Sequence, residues 1–123
     1  MSRPTSISAI TLAVTQMAPA VAFYEGLGFE LRYGGPEAPF TSFTVGEGYL
    51  NLQLVEDTPS TDWGRTIVYV TDVDAMHQRA LAAGITPEFA PRDAEWGERY
   101  FHLRDPQGHE LSFAHPLCPP ATG

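Results

Sequence analysis

The sequence predicts an α+β fold of two tandem βαβββ modules, which form a cupped mixed β-sheet with the helices on its outer face. Three observations predict it. A β-type run, a helical pattern and a stopping glycine occur twice, with Val14 and Val70, Thr15 and Thr71, and Gly28 and Gly84 each 56 positions apart. Both helical segments carry an apolar stripe at helical spacing. The segments after each helix alternate apolar with polar residues at period two, as half-buried strands do.

The first module opens with the strand Ile10-Thr11-Leu12-Ala13-Val14-Thr15 and a helix from Met17 to Leu27, whose stripe is Ala20, Phe23, Tyr24 and Leu27. The second opens with Thr66-Ile67-Val68-Tyr69-Val70-Thr71 and a helix from Val73 to Ala83, with the stripe Val73, Met76, Ala80 and Ala83. Asp72 is placed to cap the second helix, and Gly28 and Gly84 can take the left-handed conformation that stops each one. Further strands are read at about 30–33, 40–45 and 49–55 in the first module, and at about 87–90, 98–104 and 109–114 in the second. Gly46-Glu47-Gly48 and Asp105-Pro106-Gln107-Gly108 supply tight turns. Gly34-Gly35-Pro36 is a loop. The chain thus reads as one domain over 1–123, with modules at about 7–57 and 64–115, a joining loop at 58–63 and a tail at 116–123.

Composition narrows the function. With 43% apolar and 18% charged residues the chain is an ordinary globular protein. No apolar run approaches the ~20 residues of a membrane span. The start Met1-Ser2-Arg3-Pro4-Thr5-Ser6 lacks the apolar stretch of a secretory signal, so a cytoplasmic protein is expected. A net charge of -8 with seven Lys and Arg argues against nucleic acid, whose phosphates need clustered cations. Acidity favours a cationic ligand weakly. Cys118, alone in the tail beside Pro116, Pro119 and Pro120, can close no intrachain disulfide and lacks a catalytic context.

Alternation along the strands separates two faces. Ile10, Leu12, Val14, Leu50, Leu52, Leu54, Phe43, Val45, Phe101, Leu103, Leu111 and Phe113 belong beneath the helices. That turns Ala9, Thr11, Ala13, Phe40, Ser42, Thr44, Tyr49, Asn51 and Gln53 to the other side in the first module. In the second it turns Arg65, Ile67, Tyr69, Tyr100, His102, Glu110, Ser112 and Ala114 the same way. A face of small, polar and aromatic groups curled into a cup suits a small-molecule pocket, whereas a partly solvated sheet face is the plainer alternative.

Two stretches carry a family resemblance. Ile10-Thr11-Leu12-Ala13-Val14, the helix with Ala22-Phe23-Tyr24, and Leu27-Gly28-Phe29 resemble the first half of a vicinal oxygen chelate domain, the superfamily of glyoxalases, ring-cleaving dioxygenases and bleomycin-resistance proteins. Val70-Thr71-Asp72-Val73-Asp74 and the closing segment from Trp96 to Glu110 resemble the second half, most strongly that of the bleomycin-resistance branch. Together they cover about residues 7 to 115. The resemblance implies eight strands and usually a homodimer. It also implies, in the enzymes, a divalent metal held by His or Glu on the first and last strand of each module. Those four positions fall on Ala9, Gln53, Arg65 and Ser112. Alanine has no donor atom, arginine is a permanent cation, and glutamine and serine are weak neutral donors, so no metal or other cofactor is expected. Among His77, His102, His109 and His115, only His102 pairs with another donor, Glu110, in the closing hairpin, which is short of the three or four donors of a tight site. His77 reads as structural, and His109 and His115 as exposed. No serine has a base and orienting partner in recognisable spacing.

What remains is a lining of rings and polar groups. Phe40, Tyr49, Tyr69 and Tyr100 present rings, with Trp63 and Trp96 on loops at the rim. Ser42, Asn51, Gln53, Arg65, His102, Glu110 and Ser112 can fix a ligand's orientation by hydrogen bonding. Planar aromatic or cationic compounds stack on such rings. The leading expectation is therefore a metal-independent, dimeric protein that sequesters an aromatic small molecule, such as an antibiotic. The runner-up is an enzyme of the same fold, with His102 as base assisted by Glu110 or Arg65, or with a rebuilt metal site there. A third alternative is an interaction module, whose cup would be filled by its own side chains. Arg65 suits an anionic ligand and conflicts with a cationic one, and the sequence leaves that conflict open.

Overall fold

The repeat seen in the sequence is a repeat of backbone geometry. A computed structural model describes residues 1–117 and contains two compact units, 1–60 and one beginning at Thr61. The first unit runs β1 (Ala9–Val14), α1 (Met17–Gly26), β2 (Glu30–Tyr33), β3 (Phe40–Val45) and β4 (Gly48–Leu54). The second runs β5 (Arg65–Tyr69), α2 (Val73–Ala82), β6 (Arg92–Asp93), β7 (Glu98–Arg104) and β8 (Glu110–Pro116). The sheet orders are β1-β4-β3-β2 and β5-β8-β7-β6, with β1 parallel to β4, β5 parallel to β8, and every other pair antiparallel. The last strand of each unit therefore returns to lie beside the first. This is the predicted α+β architecture.

Apolar spacing explains why each helix lies on one face of its sheet. In α1, Met17, Ala20, Val21 and Tyr24 are buried, over Leu12, Val14, Phe43, Leu50 and Leu52 on the strands. Tyr24 sits edge-on to Phe29 at 5.2 Å and tilted against Phe43 at 5.7 Å. In α2, Val73 and Ala80 are buried above Phe101, Leu103, Leu111 and Phe113, and His77 meets Phe101 edge-on at 5.1 Å. Complete burial of each large side chain is worth roughly 1.5–3 kcal/mol, so this layer is the main stabilising term in each unit.

Both helices stop in the same way. The Phe29 N–H donates to the Tyr24 carbonyl at 3.0 Å, and the Ile85 N–H to the Ala80 carbonyl at 3.0 Å. Such a closing turn needs a positive φ at the intervening residue, where Gly28 and Gly84 have φ of 92° and 80°. The starts differ. Asp72 accepts from the Ala75 N–H at 3.1 Å as predicted, whereas Gln16 gives α1 no side-chain cap.

Several expectations are corrected. The strand expected at 87–90 is irregular chain, tied to β7 by the Glu88 N–H to the His102 carbonyl at 2.8 Å; the edge strand is the shorter β6. Pro87 lacks an N–H, and a two-residue strand is all that the loop into Trp96 leaves room to pair. Ala83 is exposed, because the helix has ended before its stripe position, and Leu54 is exposed at the end of its strand. His109 is buried at the β7–β8 turn, where its N–H and those of Gln107 and Gly108 all donate to Asp105 Oδ1. His115 lies within β8, half-buried, and its Nδ1 accepts from the Val73 N–H at 2.9 Å, supplementing the α2 cap. Cys118 and most of the expected tail lie outside the described residues.

Replacing Asp72 by Ala should lower the stability of the fold by about 1 kcal/mol, the usual cost of an N-cap. Urea denaturation checks it, with Gln16→Ala as a control that leaves the midpoint unchanged.

Candidate functional site

Strand register places the chemistry of the second unit. Across β5, β8 and β7 the paired rows are Arg65–Glu110–Arg104, Ile67–Ser112–His102 and Tyr69–Ala114–Tyr100. Since Leu103, Leu111 and Phe113 lie under α2, the pleat turns all three rows to the open face.

In the first row Glu110, only 8% exposed, is held from both sides. Arg65 Nε donates to Oε1 at 2.6 Å, and Arg104 Nη2 donates to Oε2 at 3.3 Å. A further carboxyl joins from the irregular segment: Glu88 lies 3.8 Å from Arg104 Nε, and donor atoms of Glu88, His102 and Glu110 all fall within 4.8 Å of one another. Burial raises the Glu88 carboxyl above its ordinary range, reinforced by its hydrogen bond to Glu110 and by that group's charge. For Glu110 burial works the same way, but hydrogen bonds from Arg65 and Glu88 outweigh it and hold the carboxyl below its ordinary range. Burial, followed by the Arg65 charge, lowers the His102 imidazole and favours its neutral form. The two carboxyls are thus shifted in opposite directions, beside an imidazole whose neutral form is favoured.

Rings border this cluster. Phe89 packs 5.1 Å from His102 and 5.5 Å from Tyr100, and Tyr100 lies 5.2 Å from His102 and 5.4 Å from Trp96. The Arg92 guanidinium lies 3.8 Å above the Phe89 ring, and its Nε donates to the Tyr100 hydroxyl at 3.2 Å. Glu98 accepts from Trp96 Nε1 at 2.8 Å and from the Tyr69 hydroxyl, which ties the outer rings together. Ile67, Tyr69 and Trp96 are each more than half exposed. Trp63 Nε1 donates to His109 Nδ1 at 2.9 Å, at the opposite end of the sheet from Trp96.

The first unit presents its own open face, with rows Ala9–Tyr49–Thr44, Thr11–Asn51–Ser42 and Ala13–Gln53–Phe40. Asn51 Nδ2 donates to Thr11 Oγ1 at 3.2 Å, while Ser42 Oγ and Asn51 Oδ1 are buried without a hydrogen-bond partner among the described residues. Arg32 lies 4.2 Å from the centre of the Tyr49 ring, and Tyr33 lies 6.5 Å from Phe40.

The structure thus gathers Arg65, Tyr69, Trp96, Tyr100, His102, Glu110 and Ser112 on one face, and Phe40, Ser42, Tyr49, Asn51 and Gln53 on the other unit's. Sequence reasoning missed Glu88, Phe89, Arg92 and Arg104. Arg104 was within reach, two residues beyond His102 and therefore on the same face. Glu88, Phe89 and Arg92 had no such signal, because their positions depend on an irregular segment.

The donor set does not fit the metal that the chelate resemblance implies. Ala9 and Arg65 cannot ligate, Ser112 and Gln53 are neutral, and Arg65 is already engaged with Glu110. Glu88, His102 and Glu110 offer three donors, but Arg65 and Arg104 already neutralise the two carboxylates. A dication there would face two guanidiniums at close range.

Comparisons with known proteins agree with this architecture. The model of the Glyoxalase/Bleomycin resistance protein/Dioxygenase superfamily matches residues 6–113. An uncharacterized protein of Mycobacterium bovis is 31% identical, over 86% of this chain and 80% of its own. The crystal structure of the bleomycin resistance determinant encoded on transposon Tn5 superposes with a TM-score of 0.76 at 20% identity, covering 93% of this chain and 100% of that one. Lactoylglutathione lyase from Agrobacterium tumefaciens superposes with a TM-score of 0.73 at 22% identity, covering 92% and 95%. Both solved structures share the fold.

The depressed Glu110 carboxyl contributes stability above the ordinary carboxylate range, and that contribution is lost as pH falls through its lowered value. Arg65→Ala should raise the Glu110 titration toward the ordinary range and destabilise the protein at neutral pH. The loss should be about 1 kcal/mol, since Arg65 is half exposed and Arg104 remains. Carboxyl NMR titration and urea melts of both proteins read the two effects.

Proposed function

The chain belongs to the glyoxalase/bleomycin resistance protein/dioxygenase superfamily, and on that footing we propose that it is a metal-independent binding protein that sequesters an aromatic small molecule. An antibiotic is one such molecule, and a cytoplasmic homodimer is the form we expect to hold it. The observation that carries this reading is Arg65, which stands at a metal-ligand position of the family and donates instead to Glu110 at 2.6 Å. Beside it lies the aromatic group of Trp96, Tyr100, Phe89 and His102, with the half-exposed Tyr69 and Trp96 joined through Glu98. Ring surface of this kind holds a planar ligand by stacking and burial, and the polar groups around it set its orientation. Trp63 and Ser112 belong to the same proposed lining in the second unit, and Phe40, Ser42, Tyr49, Asn51 and Gln53 are proposed as ligand-binding residues on the open face of the first.

A second reading is favoured by one observation. The neutral form of His102 is favoured beside Glu110 and Glu88, whose carboxyl is shifted above its ordinary range, and a neutral imidazole among carboxyls suits a general base with an acid at hand. An enzyme would then lose turnover when His102 is replaced by Ala while keeping its affinity.

Binding is tested by melting curves and calorimetry. Zinc, nickel, manganese and iron should leave the melting temperature unchanged and none should co-purify; one metal per subunit would overturn metal independence. A panel of aromatic compounds should yield a ligand that saturates stoichiometrically and is recovered unaltered. Tyr100→Ala and Trp96→Ala should each weaken that ligand roughly 3- to 10-fold, the worth of one stacking contact.

A further inference from the structure

On the open face of the second unit the central strand, β8, carries the smallest side chains. Beyond Glu110 they are Ser112 and Ala114, only 4% and 1% exposed. Taller residues flank them, Ile67 and Tyr69 on β5 and His102 and Tyr100 on β7. The result is a trough along β8. Arg65, Glu110 and Arg104 close one end, and at the other the Tyr69 hydroxyl reaches across β8 to donate to Glu98. Arg65 and Tyr69 bound β5, so the trough runs for about 13 Å of strand.

Two polar groups at the Arg65 end are left over. Arg65 donates through Nε to Glu110 at 2.6 Å, which fixes the guanidinium, but Nη1 and Nη2 have no hydrogen-bond partner among the described residues. That side chain is half exposed. Ser112 is buried, and its hydroxyl also lacks a partner among them, although the pleat aims it into the trough. A buried hydroxyl without a partner costs folding energy, so packing alone does not account for it. Charge has the same sense. Arg65, Arg92 and Arg104, three of the chain's seven basic residues, stand around two carboxyls, Glu88 and Glu110, which leaves one positive charge in excess when both are ionised. Arg104 is spent on Glu88, Glu110 and the Gly108 carbonyl, and Arg92 on Phe89 and Tyr100. The outer edge of Arg65 is where the excess is offered.

We propose that Arg65 and Ser112 form a subsite for the carboxylate of a planar aromatic acid, whose ring lies along the trough toward Tyr69 and Tyr100. This rests on the aromatic-binding reading above and names the ligand class for it. The two Nη groups of a guanidinium match the two oxygens of a carboxylate, and the Ser112 hydroxyl adds a further donor from the floor. Glu98 at the far end repels a carboxylate and so sets which way the acid lies. Arg65 then attracts its ligand's charge, and Glu110 beneath holds the fork in place.

The probe is cinnamate, with cinnamamide and cinnamylamine as its neutral and cationic counterparts, and calorimetry reads each affinity. Cinnamate should bind at least about tenfold more tightly than either counterpart, the worth of one charge-assisted contact. Ser112→Ala should weaken cinnamate roughly 3- to 10-fold, the worth of one hydrogen bond, and leave the melting temperature unchanged or raised. Arg65→Lys keeps a cation beside Glu110 but lacks the fork, so it should lose most of the preference for cinnamate over cinnamamide. Equal binding of acid and amide, preference for the amine, or either variant keeping the full preference would overturn the subsite while leaving the aromatic-binding reading intact. Failure of all three probes while another aromatic compound binds would overturn it too. Failure of every aromatic compound would remove the reading on which it rests.

Discussion

Leu111 and Phe113 lie beneath α2 because that is where their surface can leave water, and the pleat then commits Glu110, Ser112 and Ala114 to the opposite face. The same constraint operates in the first unit through Leu50 and Leu52. Register does the rest. Once β5 runs parallel to β8 with Arg65 beside Glu110, and β7 runs antiparallel with Arg104 on the other flank, the cationic and anionic groups meet as neighbours. A slip of one residue would bury Glu110 under the helix and expose Phe113, so core packing is what enforces the polar row.

That row holds one carboxylate between two guanidiniums and so carries a net positive charge. A metal site concentrates positive charge and needs anionic or neutral donors turned inward. Here Arg65 supplies a fixed cation at the position that the chelate resemblance gives to a ligand, and Glu110 answers it from the next strand. The carboxyl at the border, Glu88, is shifted above its ordinary range because burial and a neighbouring carboxylate both penalise its ionisation. The local chemistry is therefore that of charge-assisted hydrogen bonding and ring packing. It follows from charge bookkeeping among four side chains, and membership in a superfamily of varied activities does not decide it.

The aromatic group shows a similar dependence on its surroundings. Tyr100 is one member of a strand, but Phe89 and Arg92 reach it from the irregular segment and Trp96 from the turn before β7. Glu98 then restrains the outer edge by accepting from both Trp96 and Tyr69. These rings hold one another through contacts of about 5 Å, the offset and edge-on distances that aromatic quadrupoles favour. The Arg92 guanidinium already lies over the Phe89 ring of this group, at 3.8 Å.

By itself the sequence determined the repeat, the helix stops at Gly28 and Gly84, the cap at Asp72 and the alternation of faces along β1, β3, β4, β5, β7 and β8. All of these are local properties: a periodicity of 2 or 3.6, a glycine that permits positive φ, or a side chain that bonds three residues on. It also determined that Ala9 and Arg65 could ligate no metal, since donor chemistry belongs to the residue. Only the tertiary structure decided that Glu88 joins His102 and Glu110, that Trp63 turns to His109, and that His115 helps to cap α2. Those groups are 14 or more residues from at least one partner, as with Glu88 and His102, and no periodic pattern spans an irregular segment. Their meeting is the outcome of how 84–91 lies along β7 once the strands beneath α2 have packed, and packing of that kind is a property of the folded chain as a whole.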